Sequence, residues 1–191
     1  MRIGVLASQG AFVEHIAMLH QLEVEALPVR LLQELRGLDG LVIPGGESTS
    51  ISKLMRDDDL VSEVKNLAKN GLPIFGTCAG MILLASEISD SGVEPLRLMD
   101  ITVRRNAFGR QRDSFETELS ISVLGEKLFP GVFIRAPIIV RANSGVEILA
   151  NLGDTIVAAR QGKLLVSAFH PELTDDLRLH QYFLDIVAGS Q

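Results

Sequence analysis

The sequence predicts an α/β protein of three layers, in which a flavodoxin-like, mostly parallel sheet carries helices on both faces. Short apolar runs alternate with amphipathic helical patterns through the first half of the 191-residue chain, which is typical of a parallel sheet with right-handed crossovers. Hydrophobic residues make up 47% of the sequence and come in short runs, as expected of strands covered on both faces. The second half is rich in β-type segments joined by turns, which predicts added antiparallel strands.

Strands and helices alternate in the first half. Each strand is predicted from a short apolar run, and each helix from apolar residues that recur with helical spacing. The predicted strands are residues 2–7, 25–28, 38–43 and 73–77. The predicted helices are residues 11–22, a helix capped by Ser48 or Thr49, residues 60–69, and a helix that runs after Cys78 to about Ile88.

Short β-type segments dominate after Leu98. Strands added to the sheet in antiparallel fashion are predicted at residues 101–104, 116–123, 132–134, 138–141, 146–150, 155–160 and 164–168. An amphipathic helix is predicted over residues 174–187. No linker or repeat interrupts the pattern, so we expect one domain over residues 1–191.

Composition argues against several classes of partner and cofactor. The formal net charge of −6 disfavours nucleic acid or an anionic membrane as the main partner. The apolar runs are far shorter than a membrane-spanning helix, and the N-terminus reads into a strand rather than a secretory signal. A lone cysteine forms neither an intramolecular disulfide nor a thiolate cluster for zinc. We therefore expect a cytoplasmic protein without metal or cofactor.

The lone cysteine, Cys78, is the candidate nucleophile. Residues 76–80 read Gly-Thr-Cys-Ala-Gly after an apolar strand, which matches the pattern Gly-x-Cys-x-Gly of a nucleophile on a sharp strand-to-helix turn. Small neighbours allow the strand and the helix to approach closely, and the helix N-terminus favours a thiolate. The alternative is that Cys78 is a small buried apolar residue.

His170 is the candidate base, with Glu172 as the residue that orients it. His170 follows an apolar strand, at the end of the sheet where α/β proteins place ligands, and in extended backbone a residue two positions later faces the same side. A loop histidine beside a helix-capping glutamate is the alternative. The other histidines, His15, His20 and His180, lie in amphipathic helical patterns and are expected at helix surfaces or edges.

Two loops offer groups for binding. Gly45 and Gly46 follow the third strand, and consecutive glycines let backbone N–H groups face a tetrahedral oxyanion. A phosphate-binding loop and a plain turn are the competing interpretations, although the Gly-Lys-Ser/Thr of a phosphate-binding loop is absent. Residues 104–112 are the most basic stretch and read by default as a solvated loop. An arginine there, or Arg135, can instead bind the carboxylate of an amino-acid substrate.

In order and content, these segments resemble the class I (triad) glutamine amidotransferases, and within them the family of glutaminase subunits of pyridoxal 5′-phosphate synthase. The resemblance covers nearly the whole chain. Gly-x-Cys-x-Gly and the His-Pro-Glu of residues 170–172 are shared across the class. The vitamin B6 branch is indicated by Gly-Gly-Glu-Ser-Thr at 45–49, Arg-Asn-x-Phe-Gly-Arg-Gln at 105–111 and Ile-Arg-Ala-Pro at 134–137. Ala7-Ser8 departs from the family, which commonly has a glycine and an apolar residue there.

The resemblance implies an activity and a role for each site residue. L-Glutamine would be hydrolysed to L-glutamate and ammonia through a cysteine thioester, with Cys78 as nucleophile, His170 as base and then acid, and Glu172 as orienter. The implied glutamine site consists of Gly46, Glu47, Ser48, Arg105, Ile134 and Arg135. The implied oxyanion hole uses the N–H group of Ala79 and one from the turn at Gly45 and Gly46.

The same resemblance implies a protein partner. That partner is a (β/α)₈-barrel synthase subunit, which forms a hetero-oligomer with the glutaminase and uses the ammonia to make pyridoxal 5′-phosphate. The first helix, with Gln9, would lie at the interface. Two alternatives stay open, namely a partner-independent γ-glutamyl cysteine hydrolase and a non-catalytic binding module of the same shape.

Overall fold

The fold is given by a computed structural model, which describes residues 1–7, 10–90, 92–108 and 113–189. The predictions on Ser8, Gln9 and residues 109–112 lie outside the described residues. The strands are β1 Arg2–Leu6, β2 Glu25–Val29, β3 Gly40–Ile43, β4 Ile74–Thr77, β5 Ala85–Ile88, β6 Met99–Arg104, β7 Ser114–Leu119, β8 Phe129–Ile134, β9 Ile138–Ala142, β10 Glu147–Leu152, β11 Thr155–Gln161 and β12 Leu164–Ser167. The helices are α1 Phe12–Gln21, α2 Ser48–Asp57, α3 Leu60–Lys69, α4 Ala79–Leu84 and α5 Arg178–Ala188.

The central sheet has a parallel block and an antiparallel extension, as the sequence predicts. Its strand order is β2-β1-β3-β4-β12-β11-β9-β6-β5, and β10 pairs with β11 outside this order. The strands from β2 to β12 are parallel, whereas β11 pairs antiparallel with β12, β10 and β9. The prediction that every late strand is antiparallel is wrong for β12, which runs parallel to β4 with Val166 opposite Gly76.

Strands β7 and β8 do not join the central sheet. They form a separate antiparallel pair, which corrects the prediction that both extend the main sheet. Phe115 and Phe133, opposite each other in this pair, stack with ring centroids 4.8 Å apart. Phe133 also packs against Phe169, 5.6 Å away between centroids, just before His170. This aromatic contact holds the pair against the end of β12, because burying such rings is strongly favourable.

Three helix boundaries differ from the sequence prediction. Helix α4 ends at Leu84, and the next four residues form β5, because pairing with β6 satisfies their backbone better than another helical turn. The last helix begins at Arg178 rather than at residue 174, since Pro171–Leu173 form a 3₁₀ turn. Helix α2 is capped by Glu47, whose carboxylate accepts hydrogen bonds from the Thr49 and Ser50 N–H groups, and not by Ser48 or Thr49.

Helices cover both faces of the parallel block. Phe75 and Gly76 are consecutive in β4, so their side-chain positions face opposite sides of the sheet. The Phe75 ring contacts Phe183 of α5 at 5.6 Å and His15 of α1 at 6.2 Å between centroids. Gly76 instead lies against Gly80 of α4. Helices α1 and α5 therefore lie on one face and α4 on the other, where it contacts α2.

Across the described ranges, the chain contains no helix long and apolar enough to cross a membrane.

Candidate active site

Cys78 occupies the turn between β4 and α4, in a strained backbone conformation. Its φ is 48° and its ψ is −100°, a region that residues other than glycine rarely adopt. A Cβ atom at Gly80 would lie 2.0 Å from the Ile43 carbonyl oxygen, and one at Gly76 would lie 2.7 Å from the Gly80 carbonyl carbon. The glycines of Gly-x-Cys-x-Gly are therefore required by the close approach of β3, β4 and α4 around the cysteine.

His170 and Glu172 form a hydrogen-bonded pair directly after β12. His170 Nδ1 lies 2.7 Å from Glu172 Oε1, and the backbone N–H of His170 donates to the Val132 carbonyl at 2.8 Å. The two residues are not in the extended backbone expected from the sequence. Glu172 instead lies in the 3₁₀ turn Pro171–Leu173, which folds its carboxylate back beneath the imidazole.

The imidazole of His170 contacts the sulfur of Cys78. Burial by itself lowers the pKa of His170, but hydrogen bonds to Cys78 and Glu172 and electrostatic interactions with the same two groups raise it to about 10. At neutral pH the histidine is therefore protonated on both nitrogens. It binds the sulfur on one side and the carboxylate on the other. The Cys78 sulfur also lies 3.9 Å from the carbonyl oxygen of Ile134.

Glu172 is buried and ionised. Burial alone raises its pKa, but the nearby His15 and the hydrogen bond from His170 outweigh burial and bring the pKa below the ordinary value of 4.5. Glu172 Oε1 accepts the hydrogen bond from His170, while Glu172 Oε2 lies 3.3 Å from His15 Nε2. The contact to His15 is within ion-pair distance but does not have hydrogen-bond geometry. The carboxylate is thus held between two histidines.

The turn at Gly45 packs directly on the Cys78–His170 pair. A Cβ atom at Gly45 would lie 2.3 Å from His170 Cε1 and 3.3 Å from Cys78 Cβ. The Gly45 N–H donates to the Thr77 hydroxyl at 3.1 Å, so it is engaged inside the protein rather than facing an oxyanion. Gly10 supports the turn from behind, since a Cβ atom there would lie 1.7 Å from the Gly45 carbonyl oxygen.

The predicted oxyanion donors Ala79 and Gly46 lie beside the same turn. Ala79 is the first residue of α4, and the first amides of a helix have no partner within it. Gly46 has a φ of 152°, and a Cβ atom there would lie 3.3 Å from the Gly10 Cα atom.

The residues predicted to bind glutamine differ in the contacts that their side chains and backbone make. The Glu47 carboxylate is occupied by the start of α2, where hydrogen bonds from Ser50 and Thr49 lower its pKa to about 2. Ser48 is buried as the first residue of that helix. The Ile134 carbonyl reaches Cys78, and Arg135 follows it with a φ of 43°.

Arg105 is bound to an acidic residue. Its Nε lies 3.0 Å from Asp90 Oδ2, and its backbone N–H donates to Asp90 Oδ1 at 3.0 Å. A hydrogen bond from the Ala107 N–H to the Ala136 carbonyl, at 3.1 Å, joins the Arg105 segment to the residues after Arg135. The backbone of the two predicted substrate arginines is therefore adjacent.

Two residues of the site were placed wrongly from the sequence. His15 and His180 were expected at helix surfaces or edges, yet both are fully buried, and only His20 is exposed. His15 lies three and four residues before Met18 and Leu19, the other buried residues of α1, and residues so spaced share one face of a helix. That spacing placed His15 on the apolar face of the helix and was the available signal.

Nowhere in the described ranges do three or more His, Cys, Asp or Glu residues group as a metal ion would require.

Comparisons with known proteins identify relatives of the chain. A family model described as the SNO glutamine amidotransferase family matches residues 5–188. A protein of Pelotomaculum thermopropionicum named pyridoxal 5′-phosphate synthase subunit PdxT is 57% identical over 185 residues, covering 97% of this chain and 94% of the relative. The protein of the same name from Herpetosiphon aurantiacus is 58% identical over 190 residues, covering 97% of this chain and all of the relative (100%).

Solved structures share the fold. A crystal structure described as a glutamine amidotransferase superposes with a TM-score of 0.94 at 50% identity, covering 98% of this chain and 100% of the other. A chain from the structure of PurLQS from Thermotoga maritima superposes with a TM-score of 0.69 at 16% identity, covering 96% of this chain and 97% of the other, and indicates the fold alone.

Proposed function

The chain belongs to the SNO glutamine amidotransferase family, and from this membership and the geometry of its site we propose that it hydrolyses L-glutamine to L-glutamate and ammonia. It does so as the glutaminase subunit of pyridoxal 5′-phosphate synthase, the assembly named for its relatives. The observation that carries the proposal is the convergence of the Cys78 sulfur, the His170 imidazole and the Glu172 carboxylate, with 2.7 Å between His170 Nδ1 and Glu172 Oε1.

The first half of the reaction forms a thioester. His170 acts first as base, and the Cys78 sulfur, whose proton His170 then holds, attacks the side-chain amide carbon of glutamine as a thiolate. His170 gives its Nε2 proton to the amide nitrogen, the C–N bond breaks, and ammonia leaves a γ-glutamyl thioester. Glu172 keeps the imidazole in the orientation that points Nε2 at the sulfur.

The second half returns the enzyme to its starting state. His170, now neutral, accepts a proton from water, whose oxygen attacks the thioester carbon. The C–S bond breaks, the sulfur leaves with the charge, and glutamate departs. The N–H groups of Ala79 and Gly46 stabilise the oxyanion in both halves, and the Gly45 N–H contributes only when Thr77 releases it.

Glutamine is bound by groups around the cysteine. We assign the substrate contacts to Gly46, Glu47, Ser48, Arg105, Ile134 and Arg135. The carboxylate of Glu47 caps α2, so its backbone rather than its side chain faces glutamine. The arginines suit the α-carboxylate of the substrate, because a guanidinium pairs with a carboxylate through two parallel hydrogen bonds.

A partner that consumes ammonia completes the proposal. Ammonia released into water at neutral pH becomes ammonium and loses its nucleophilic lone pair, so a lone glutaminase would waste its product. The partner is a synthase subunit with a (β/α)₈ barrel, and the two assemble as a hetero-oligomer in the cytoplasm. The whole chain acts as one domain, and a lone cysteine without a disulfide fits a reducing compartment.

The test compares variants of the triad with a matched histidine control. Cys78→Ala should abolish glutaminase activity while binding of the synthase subunit stays measurable. His170→Asn should lose covalent labelling by the glutamine analogue 6-diazo-5-oxo-L-norleucine, measured by mass spectrometry, whereas His20→Asn on the exposed side of α1 should label like the wild type. Turnover by Cys78→Ala, or normal labelling of His170→Asn, would contradict the assigned roles.

Activity with and without the synthase subunit separates the proposal from a partner-independent γ-glutamyl hydrolase. We expect glutamine hydrolysis to rise when the subunit is added. Full activity of the chain alone, unchanged by the subunit, would favour the partner-independent hydrolase. Absence of covalent labelling would favour a non-catalytic binding module.

A further inference from the structure

A buried pair of histidines lies directly behind the triad and has no part in the mechanism above. His15 of α1 and His180 of α5 are each fully buried, and His15 Nδ1 lies 2.8 Å from His180 Nε2. The two residues are 165 positions apart in the chain. Burying two imidazoles is costly unless their nitrogens are hydrogen-bonded, so such a pair needs an explanation.

The other nitrogen of His15 connects the pair to the triad. His15 Nε2 lies 3.2 Å from the Thr77 hydroxyl oxygen and 3.3 Å from Glu172 Oε2. Within the described residues, Glu172 Oε2 has no hydrogen bond of its own, although it is fully buried. The His15 imidazole therefore places a polar nitrogen beside the second oxygen of the triad carboxylate.

Electrostatics determines which nitrogens of the pair carry protons. Burial lowers the pKa of His15 and lowers that of His180 well below 6.5, so both rings are neutral at neutral pH. A lone pair on His15 Nε2 would face the negative carboxylate oxygen, whereas an N–H there is attracted to it. With its proton on Nε2, His15 must accept at Nδ1, so His180 donates from its own Nε2.

We propose that His15, held by His180, is a positioning residue that presents its Nε2–H to Glu172 and Thr77 and thereby fixes the carboxylate that orients His170. This inference rests on the proposed glutaminase function. Thr77 connects His15 indirectly to the turn at Gly45. Its hydroxyl oxygen contacts His15 Nε2 and also accepts a hydrogen bond from the Gly45 N–H at 3.1 Å. His15 thus links the acid of the triad to the turn packed on Cys78.

The first test measures the position of the protons without using activity. Nitrogen-15 NMR of the imidazoles in the full chain, labelled at histidine, distinguishes the Nε2–H tautomer from the Nδ1–H tautomer. We expect Nε2–H on both His15 and His180 at neutral pH, with each resonance assigned by the loss of its signal on substitution. An Nδ1–H tautomer on His15, or a doubly protonated ring, would overturn the proposal.

The second test uses two substitutions of equal length. His15→Gln retains an N–H donor about where Nε2 lies, His15→Met fills similar space without a donor, and both lose the contact to His180 equally. In the complex with the synthase subunit, we expect kcat for glutamine to fall by roughly 10- to 100-fold in His15→Met, as for a buried charged acceptor left without its polar neighbour. His15→Gln should recover most of that loss, with KM little changed in either variant.

Exposed Gln33, which lies outside α1, provides the control, since Gln33→Met makes the same Gln-to-Met exchange away from the triad and should have wild-type kcat. Equal kcat values for His15→Gln and His15→Met would overturn the proposal, because a purely structural role does not depend on the donor. The tautomer measurement also separates this proposal from the proposed function. If the wild-type complex failed to hydrolyse glutamine, the glutaminase assignment would fail while the proton positions would still be measured.

Discussion

A methyl group placed on the turn at Gly45 is a direct test of how the site is packed. Gly45 does not have the positive φ of its neighbour Gly46, so an alanine there incurs no positive-φ strain and the main perturbation is the steric clash of its methyl group. The added Cβ atom would lie 2.3 Å from His170 Cε1, where ordinary contact begins at 3.4 Å. It would also lie 3.0 Å from His170 Nδ1, on the side of the ring that binds Glu172.

The expected loss of activity in Gly45→Ala depends on how far His170 and the turn at Gly45 can move to relieve the clash. The imidazole is held by a buried carboxylate and the turn is held by Thr77, so the clash moves the ring or the turn by about 1 Å, a displacement that costs on the order of 100-fold in catalysis. Overpacking of this kind costs about 1–3 kcal/mol in the free energy of unfolding. Gly45→Ala should therefore fold but react slowly.

The assay is the rate of Cys78 labelling by 6-diazo-5-oxo-L-norleucine in the presence of the synthase subunit, with the free energy of unfolding measured by urea denaturation. Gly153→Ala is the matched control, because Gly153 has a φ of 58° and nothing within 4 Å of its added Cβ atom. That variant should lose about 1–2 kcal/mol of stability from backbone strain and none of its reactivity. Wild-type labelling of Gly45→Ala, or an equal loss of labelling in Gly153→Ala, would refute the packing argument.

Three further predictions concern charge and packing. Glu47→Gln should lower the free energy of unfolding by about 1 kcal/mol at neutral pH through loss of the cap on α2. The pKa of Glu47 is lowered from 4.5 to about 2 in the folded protein, so the cap stabilises most above pH 4.5. In urea unfolding measured at a series of pH values, the difference in free energy of unfolding between wild type and Glu47→Gln should shrink as the pH falls toward 2. A difference that stays constant with pH would contradict the cap. Glu172→Gln removes a charge that raises the pKa of His170, so we expect His170 to titrate at lower pH when followed by NMR. Glutamine turnover should fall roughly 10⁴-fold in the same variant. An unchanged titration of His170 would exclude the ion pair with Glu172. Phe133→Ala should cost about 3–5 kcal/mol in urea unfolding by removing the ring between Phe115 and Phe169, with Phe133→Leu losing less, and a loss below 1 kcal/mol would show that the aromatic cluster is dispensable.

Much of the chemistry could be predicted from short segments. A nucleophile at a strand-to-helix turn needs small neighbours. At Gly76 and Gly80 an added Cβ atom would lie within 3 Å of the backbone of α4 and β3, respectively. The pairing of His170 with Glu172 was also predictable, because the two residues are close in the chain. Even there the local backbone was misjudged, since a 3₁₀ turn rather than an extended segment brings the two side chains together.

The arrangement around those segments could not be predicted, because it depends on partners far away in sequence. Residues 85–88 continue an apolar pattern that suits a helix, yet pairing with β6 makes them a strand. The direction of β12 is set by its place beside β4, which no pattern within residues 164–167 reveals.

The groups available for chemistry, and the sharp turns that present them, could be read from residues that are near neighbours in the chain. Contacts between distant segments brought His15 and His180 together behind Glu172, bound the Gly45 N–H to Thr77, and paired β7 with β8 apart from the central sheet. A buried polar group takes whichever partner the packing of distant elements brings within hydrogen-bond distance, and that packing is not visible in a short segment.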